Sequence, residues 1–155
     1  MHISADELLS KGYGERQGEM LVLEPYELLY LLEKGIIAVK GFTYEELFKL
    51  MGRHRQGLSK YLVYRDLRDR GYVVKEGIEP LYSLRLYEKG TFNTSPAKYR
   101  ILILNEGDGI RVEKLKNFVI TSISQDTNSV IAVVDRRGEI IYYKSFLITS
   151  GSKVE

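Results

Sequence analysis

At Gly71 the spacing of apolar residues along this chain changes period, and no single type of element accommodates both halves. Before it, Leu58, Tyr61, Leu62, Arg65 and Leu67 form an imperfect helical stripe starting from Gly57. After it come short β-rich runs at Tyr72 to Lys75, Ser83 to Tyr87, Tyr99 to Leu104, Val130 to Val134, Glu139 to Tyr143 and Phe146 to Ile148. Further upstream, Pro25 suits a first helical position and Gly35 a C-terminal cap, which predicts a helix of about ten residues. Ile36 to Val39 reads as a strand. Thr43 and Glu46 have capping-box spacing, opening a second helix that runs through Met51 and closes at Gly52. Another helix is expected from Val112 to Ile120, with loops at Gly90 to Pro96 and Asn105 to Gly109. Asp135 to Gly138 reads as a hairpin turn in which Gly138 takes a positive φ.

The expected fold class is α+β in two small domains. Residues 1–76 hold helices with a small antiparallel sheet, and residues 77–155 hold a mixed or antiparallel sheet with a flanking helix. The join falls near Gly77 to Pro80.

Composition narrows the chemistry. The 155 residues include no cysteine and only two histidines. There is no disulfide framework, no thiol nucleophile and no Cys-ligated metal. A centre built on three histidines is excluded, and any histidine acid or base must be His2 or His54. Gly107, Asp108 and Gly109 are too short a glycine run for a phosphate loop and read as a turn. Neither a metal nor a cofactor is expected. Apolar runs reach only about five residues, against roughly 20 for a membrane span, and the first ten residues lack a signal-peptide order. A soluble, cytoplasmic protein is the reading.

Net charge is +2, so the distribution of charge matters more than its sum. Arg53, His54 and Arg55, continued by Lys60, Arg65, Arg68 and Arg70, would neutralise several phosphates if one face collected them. A solvated helix face balanced by Asp66 and Asp69 is the favoured alternative. His54, between two arginines, would be disfavoured in its charged form and so suited to act as a base. No carboxylate lies nearby to orient it, which favours a surface loop residue. Tyr26, Tyr30, Tyr61 and Tyr64 fall at helical spacing, which suits packing more than base stacking. Composition and periodicity leave a binding module and a small hydrolase both open.

Residues 61 to 77, YLVYRDLRDRGYVVKEG, resemble the signature of archaeal tRNA-intron splicing endonucleases, Y-x-V-Y-x-D-L-R-x-R-G-Y-x-V-K-x-G. Leu23 to Gly35 is similar to that family's leucine-rich first helix, and Val130 to Tyr143 to its final hairpin. The resemblance covers roughly residues 20 to 148 and implies a nuclease-like C-terminal domain. Family members cut precursor tRNA at a bulge-helix-bulge by attack of the neighbouring 2′-hydroxyl, leaving a 2′,3′-cyclic phosphate and a 5′-hydroxyl. That reaction needs a base, an acid and a cation, roles that the family gives to a tyrosine, a histidine and a lysine.

Position by position, the resemblance keeps one of the three. Tyr87 lies ten residues after Gly77, as the family tyrosine does. Pro96 stands where a histidine opens H-[AS]-x-Y, and Asn128, or Thr127 one residue earlier, stands where the lysine belongs. Lys116, the nearest lysine upstream of them, is far from that position. The resemblance therefore implies a non-catalytic, structural subunit that joins a catalytic partner in an α₂β₂ tetramer and meets precursor tRNA through the complex. Its implied contacts are Phe146, Leu147 and Ile148 for tail-to-tail pairing, and Asp135, Arg136, Arg137, Gly138 and Glu139 for a hairpin entering a partner's pocket. Arg53, Arg55, Lys60 and Arg65 are candidate phosphate contacts. The alternatives are an active enzyme with a rearranged site using Lys98 or Lys116, and a free-standing RNA-binding module.

Overall fold

Ser4 starts the first helix, α1 (Ala5–Ser10), by accepting the amide proton of Glu7 at 3.1 Å. In the computed structural model, which describes residues 3–53 and 55–144 and of residue 55 only the backbone, α1 is followed by two three-residue strands. These are β1 (Glu15–Gln17) and β2 (Met20–Val22), paired antiparallel around Gly18. They are the expected small N-terminal sheet, but at different residues. Both are almost entirely exposed, so they carry no alternation for a sequence reading to detect.

Pro25 opens α2 (Pro25–Glu33) at its first turn, as expected. The strand expected at Ile36 to Val39 is absent, and only an isolated bridge joins Val39 to Phe42. The reason is local. Gly35 turns to φ +69°, and the amides of Gly35 and Ile36 bond back to the carbonyls of Leu32 at 3.1 Å and Leu31 at 2.9 Å. These amides close the helix and are unavailable to a sheet, while Ile36 and Ile37 pack against the core. Thr43 then caps α3 (Tyr44–Gly52) through the amide of Glu46 at 3.2 Å. The long helix α4 (Arg55–Asp69) lies between the other helices and the sheet, so Tyr61, Val63 and Tyr64 are fully buried.

The sheet has five strands in chain order: β3 (Val73–Ile78), β4 (Tyr82–Tyr87), β5 (Tyr99–Asn105), β6 (Asn128–Val134) and β7 (Ile140–Lys144). All neighbours are antiparallel except β5 and β6, which run parallel and are joined through α5 (Val112–Ser124). The mixed sheet with a flanking helix is as expected. Gly77 lies inside β3, where a Cβ would stand 2.5 Å from the Tyr82 carbonyl oxygen, so only glycine admits the partner backbone this closely. The main core lies between α2, α4 and one sheet face, around Leu29, Tyr61, Val74, Leu84 and Ile101. A smaller core joins α5 to the opposite face through Phe118, Val119, Leu102 and Tyr82.

Buried charge ties the N-terminal segment to this frame. Arg68 donates to the carbonyls of Lys11 at 2.9 Å and Gly12 at 2.6 Å, and its guanidinium lies 3.9 Å from the Tyr13 ring centroid. It is buried, not part of a solvated basic face.

Candidate functional site

Three positions far apart in sequence come together at one end of the sheet. Tyr87 ends β4, Tyr99 begins β5 and Asn128 begins β6, and the register sets Leu86 opposite Tyr99 and Tyr99 opposite Asn128. Lys98 links the three strands through its backbone: its amide donates to the Leu86 carbonyl at 3.0 Å, and its carbonyl accepts from the Asn128 amide at 2.8 Å. Pro96 stands two residues before it, exposed in the loop from β4 to β5. This loop is shaped by Ser95 donating to Thr91 at 2.8 Å, and is tied to the N-terminal segment by Asn93 donating to Ser10 at 3.2 Å.

The Tyr87 ring is half-buried and stands edge-on to Phe92 at 4.9 Å. Pro96 can neither donate nor accept a proton through its side chain. The amide of Asn128 carries no charge, and Thr127 directs its hydroxyl to the Ser122 carbonyl at 2.8 Å. Lys116 is exposed early in α5, a helix that starts from the opposite end of the sheet. The lysine nearest Tyr87 and Asn128 along the strand pairing is Lys98, whose ammonium sits 2.8 Å from Glu88. Hydrogen bonding and charge from that carboxylate raise the Lys98 pKa and keep it protonated. His2 and His54 lie outside the described residues.

The opposite end carries the hairpin. Asp135 accepts the amides of Arg137 at 2.8 Å and Glu139 at 2.9 Å on one carboxylate oxygen, while Gly138, at φ +85°, donates to its carbonyl at 3.1 Å. This is the expected turn, and it gives the aspartate a local role: it organises the loop. Arg136 and Arg137 are exposed at the tip. A cleft of about 620 Å³ separates the hairpin from α4, lined by Leu58, Leu62, Arg65, Asn105 and Gly138. β7 is one of the two outer strands of the described sheet and exposes Ile141 and Tyr143. Phe146, Leu147 and Ile148 lie outside the described residues.

Among the described residues, the basic side chains along α3 and α4 are divided between ion pairs, a buried site and solvent. Lys60 pairs with Glu76 and, at 3.5 Å, with Glu79, and stands over the Tyr26 ring. Arg65 pairs with Glu33 at 3.3 Å. Arg53 is exposed at the end of α3, and the side chain of Arg55 lies outside the described residues. Tyr26, Tyr30, Tyr61 and Tyr64 are core residues, as their spacing predicts. Tyr26 donates to Glu76 at 2.6 Å and Tyr30 to Asp69 at 2.8 Å. Burial, reinforced at Tyr26 and Tyr30 by these carboxylates, pushes the phenol pKa values of all four upward.

A helical N-terminal unit is thus packed on a five-stranded mixed sheet, at one end of which Tyr87, Tyr99 and Asn128 stand on neighbouring strands. Comparison with known proteins agrees in both halves. Residues 57–142 match the tRNA intron endonuclease catalytic C-terminal domain, and residues 3–48 match the N-terminal domain of the same endonuclease. The tRNA-splicing endonuclease of Pyrococcus abyssi is 36% identical over 140 residues, covering 87% of this chain and 81% of its own length. Those of Methanococcus vannielii, 32% identical over 142 residues (88% and 80%), and Methanothermobacter thermautotrophicus, 34% over 137 residues (84% and 79%), are similar along the same span. The chain belongs to the tRNA intron endonuclease family.

Proposed function

We propose that this chain is the structural subunit of a heterotetrameric tRNA-splicing endonuclease, assembling with catalytic subunits and positioning them on precursor tRNA. The observation that carries the reading is the sheet end where Tyr87 and Asn128 stand on either side of the Tyr99 strand with Pro96 in the loop leading into it, because only one of these three keeps a side chain able to act. Transfer of a 2′-hydroxyl proton and protonation of the leaving 5′-oxygen need two groups, and loss of one acid or base typically costs about 10²- to 10⁴-fold in rate. Charge on the pentacoordinate phosphorus needs a cation aimed at it, and Lys98 is already held by Glu88. The subunit's contribution is then geometric: it sets two catalytic partners at the spacing of two scissile phosphates.

One feature favours a second reading, an enzyme with a rearranged site: the Lys98 backbone bonds to strands on both sides, which sets it between the Tyr87 and Asn128 positions. The two readings separate in one experiment. Purified chain is incubated with intron-containing precursor tRNA, alone and with a triad-bearing family member, and complex formation is followed by size exclusion. No cleavage alone, a specific mixed complex and cleavage by the mixture are the expected results. Cleavage by the chain alone that disappears in Lys98→Gln would establish the rearranged enzyme instead. Absence of any mixed complex would leave a free-standing RNA-binding module.

A further inference from the structure

The main core occupies one face of the five-stranded sheet, and the other face carries three cations in a row. The register sets Lys75 opposite Arg85 and Arg85 opposite Arg100, and residues directly opposite share a face. Lys75 is neutralised by Glu27 at 3.5 Å and bonds the Gly14 carbonyl at 2.9 Å. The arginines differ. Among the described residues no carboxylate pairs with either, the Arg85 Nε is buried without a hydrogen-bond partner, and the Arg100 guanidinium lies 4.4 Å from the Tyr82 ring centroid. Both are half-buried. Like charges opposite one another on adjacent strands repel, and a partly desolvated guanidinium without an acceptor is unfavourable. Nothing in the main core requires the pair, since their strand neighbours Leu84, Leu86 and Ile101 supply that packing from the other face.

Two guanidiniums without a carboxylate partner among the described residues therefore stand on neighbouring strands. Arginine's planar fork matches the oxygens of a phosphate. Tyr87, two residues along β4 from Arg85, shares its face, and Tyr82 already stacks on Arg100. Cations interleaved with aromatic rings suit a nucleic-acid strand better than an acidic peptide. We infer that the sheet face bearing Arg85 and Arg100 holds a phosphodiester of the RNA, so this subunit grips substrate directly beside Tyr87. The inference rests on membership of the family and holds whether or not the chain is a structural subunit.

The test uses the full chain without a catalytic subunit, so its failure is distinct from failure of the structural-subunit reading. Binding of precursor tRNA is measured across a range of salt. Arg85→Gln and Arg100→Gln should each weaken binding and reduce the slope of log affinity against log salt by about 1, whereas Arg16→Gln, at an exposed pair with Asp6, should leave it unchanged. If Arg85→Gln fails to fold, Arg100→Gln decides alone. Wild-type slope and affinity in Arg100→Gln, an equal loss in Arg16→Gln, or no RNA binding by the wild-type chain would each overturn the inference.

Discussion

Glu27 serves three partners at once from a buried site on α2: the Gly14 amide at 2.7 Å, the Glu24 amide at 2.9 Å and the Lys75 ammonium at 3.5 Å. Removing only the lysine leaves a carboxylate in the interior without its counter-charge. Lys75→Met should therefore destabilise the fold by about 3–5 kcal/mol, and adding Glu27→Gln should recover part of the loss; urea unfolding of both variants checks this. The tyrosines make a second residue-scale expectation. Burial raises the phenol pKa values of Tyr26, Tyr30, Tyr61, Tyr64 and Tyr142 above their ordinary value of 10.0. A group whose folded pKa is raised gives its full stabilisation below the unfolded pKa and loses it as pH climbs toward the folded one. The protein should hold these five phenols protonated at neutral pH and lose stability above about pH 10. Tyrosinate absorbance and circular dichroism recorded on one alkaline titration should change together; tyrosinate formed fully before any loss of structure would contradict the burial.

Among the elements, the hairpin after β6 and the close approach at Gly77 make the sharpest claims. Asp135→Ala removes a charged acceptor from two amides and should weaken the fold by about 1–3 kcal/mol, while Asp135→Asn, which keeps an oxygen in place, should cost less. Gly77→Ala drives a Cβ into the backbone of Tyr82 and Ser83 and should destabilise by about 1–3 kcal/mol, read from thermal or denaturant unfolding. Elements with strong local chemistry were legible in the sequence. Pro25 and Gly35 bound α2, Thr43 caps α3, and Asp135 to Gly138 forms the turn that its residues predict. The strand at Ile36 to Val39 was misread because β-branched composition said nothing about amides already engaged by the end of α2. β1, β2 and the roles of Arg68 and Lys75 were invisible for different reasons. The two short strands are almost entirely exposed and carry no alternation, while Arg68 and Lys75 depend on contacts between residues more than 45 positions apart, and charged residues read as solvent-facing until their partners are known.

On the scale of the whole molecule, the sheet separates two kinds of surface. One end gathers Tyr87, Pro96 and Asn128, and the other carries the Asp135 to Glu139 hairpin above its cleft. The placement of these residues at one end was legible only through the family's spacing, since periodicity alone does not say that residues 87 and 128 stand on strands flanking the same neighbour. No helix among the described residues is long and apolar enough to cross a membrane. The central claim is that this chain contributes position and not proton transfer to splicing. A fixed amount of catalytic subunit titrated with this chain should give cleavage of precursor tRNA that rises to a plateau at equal amounts. The decisive measurement is the cleavage rate of that reconstituted complex when this chain carries Tyr87→Phe. An unchanged rate is expected, and a fall of about 10²-fold or more, the effect of removing a working acid or base, would contradict the account.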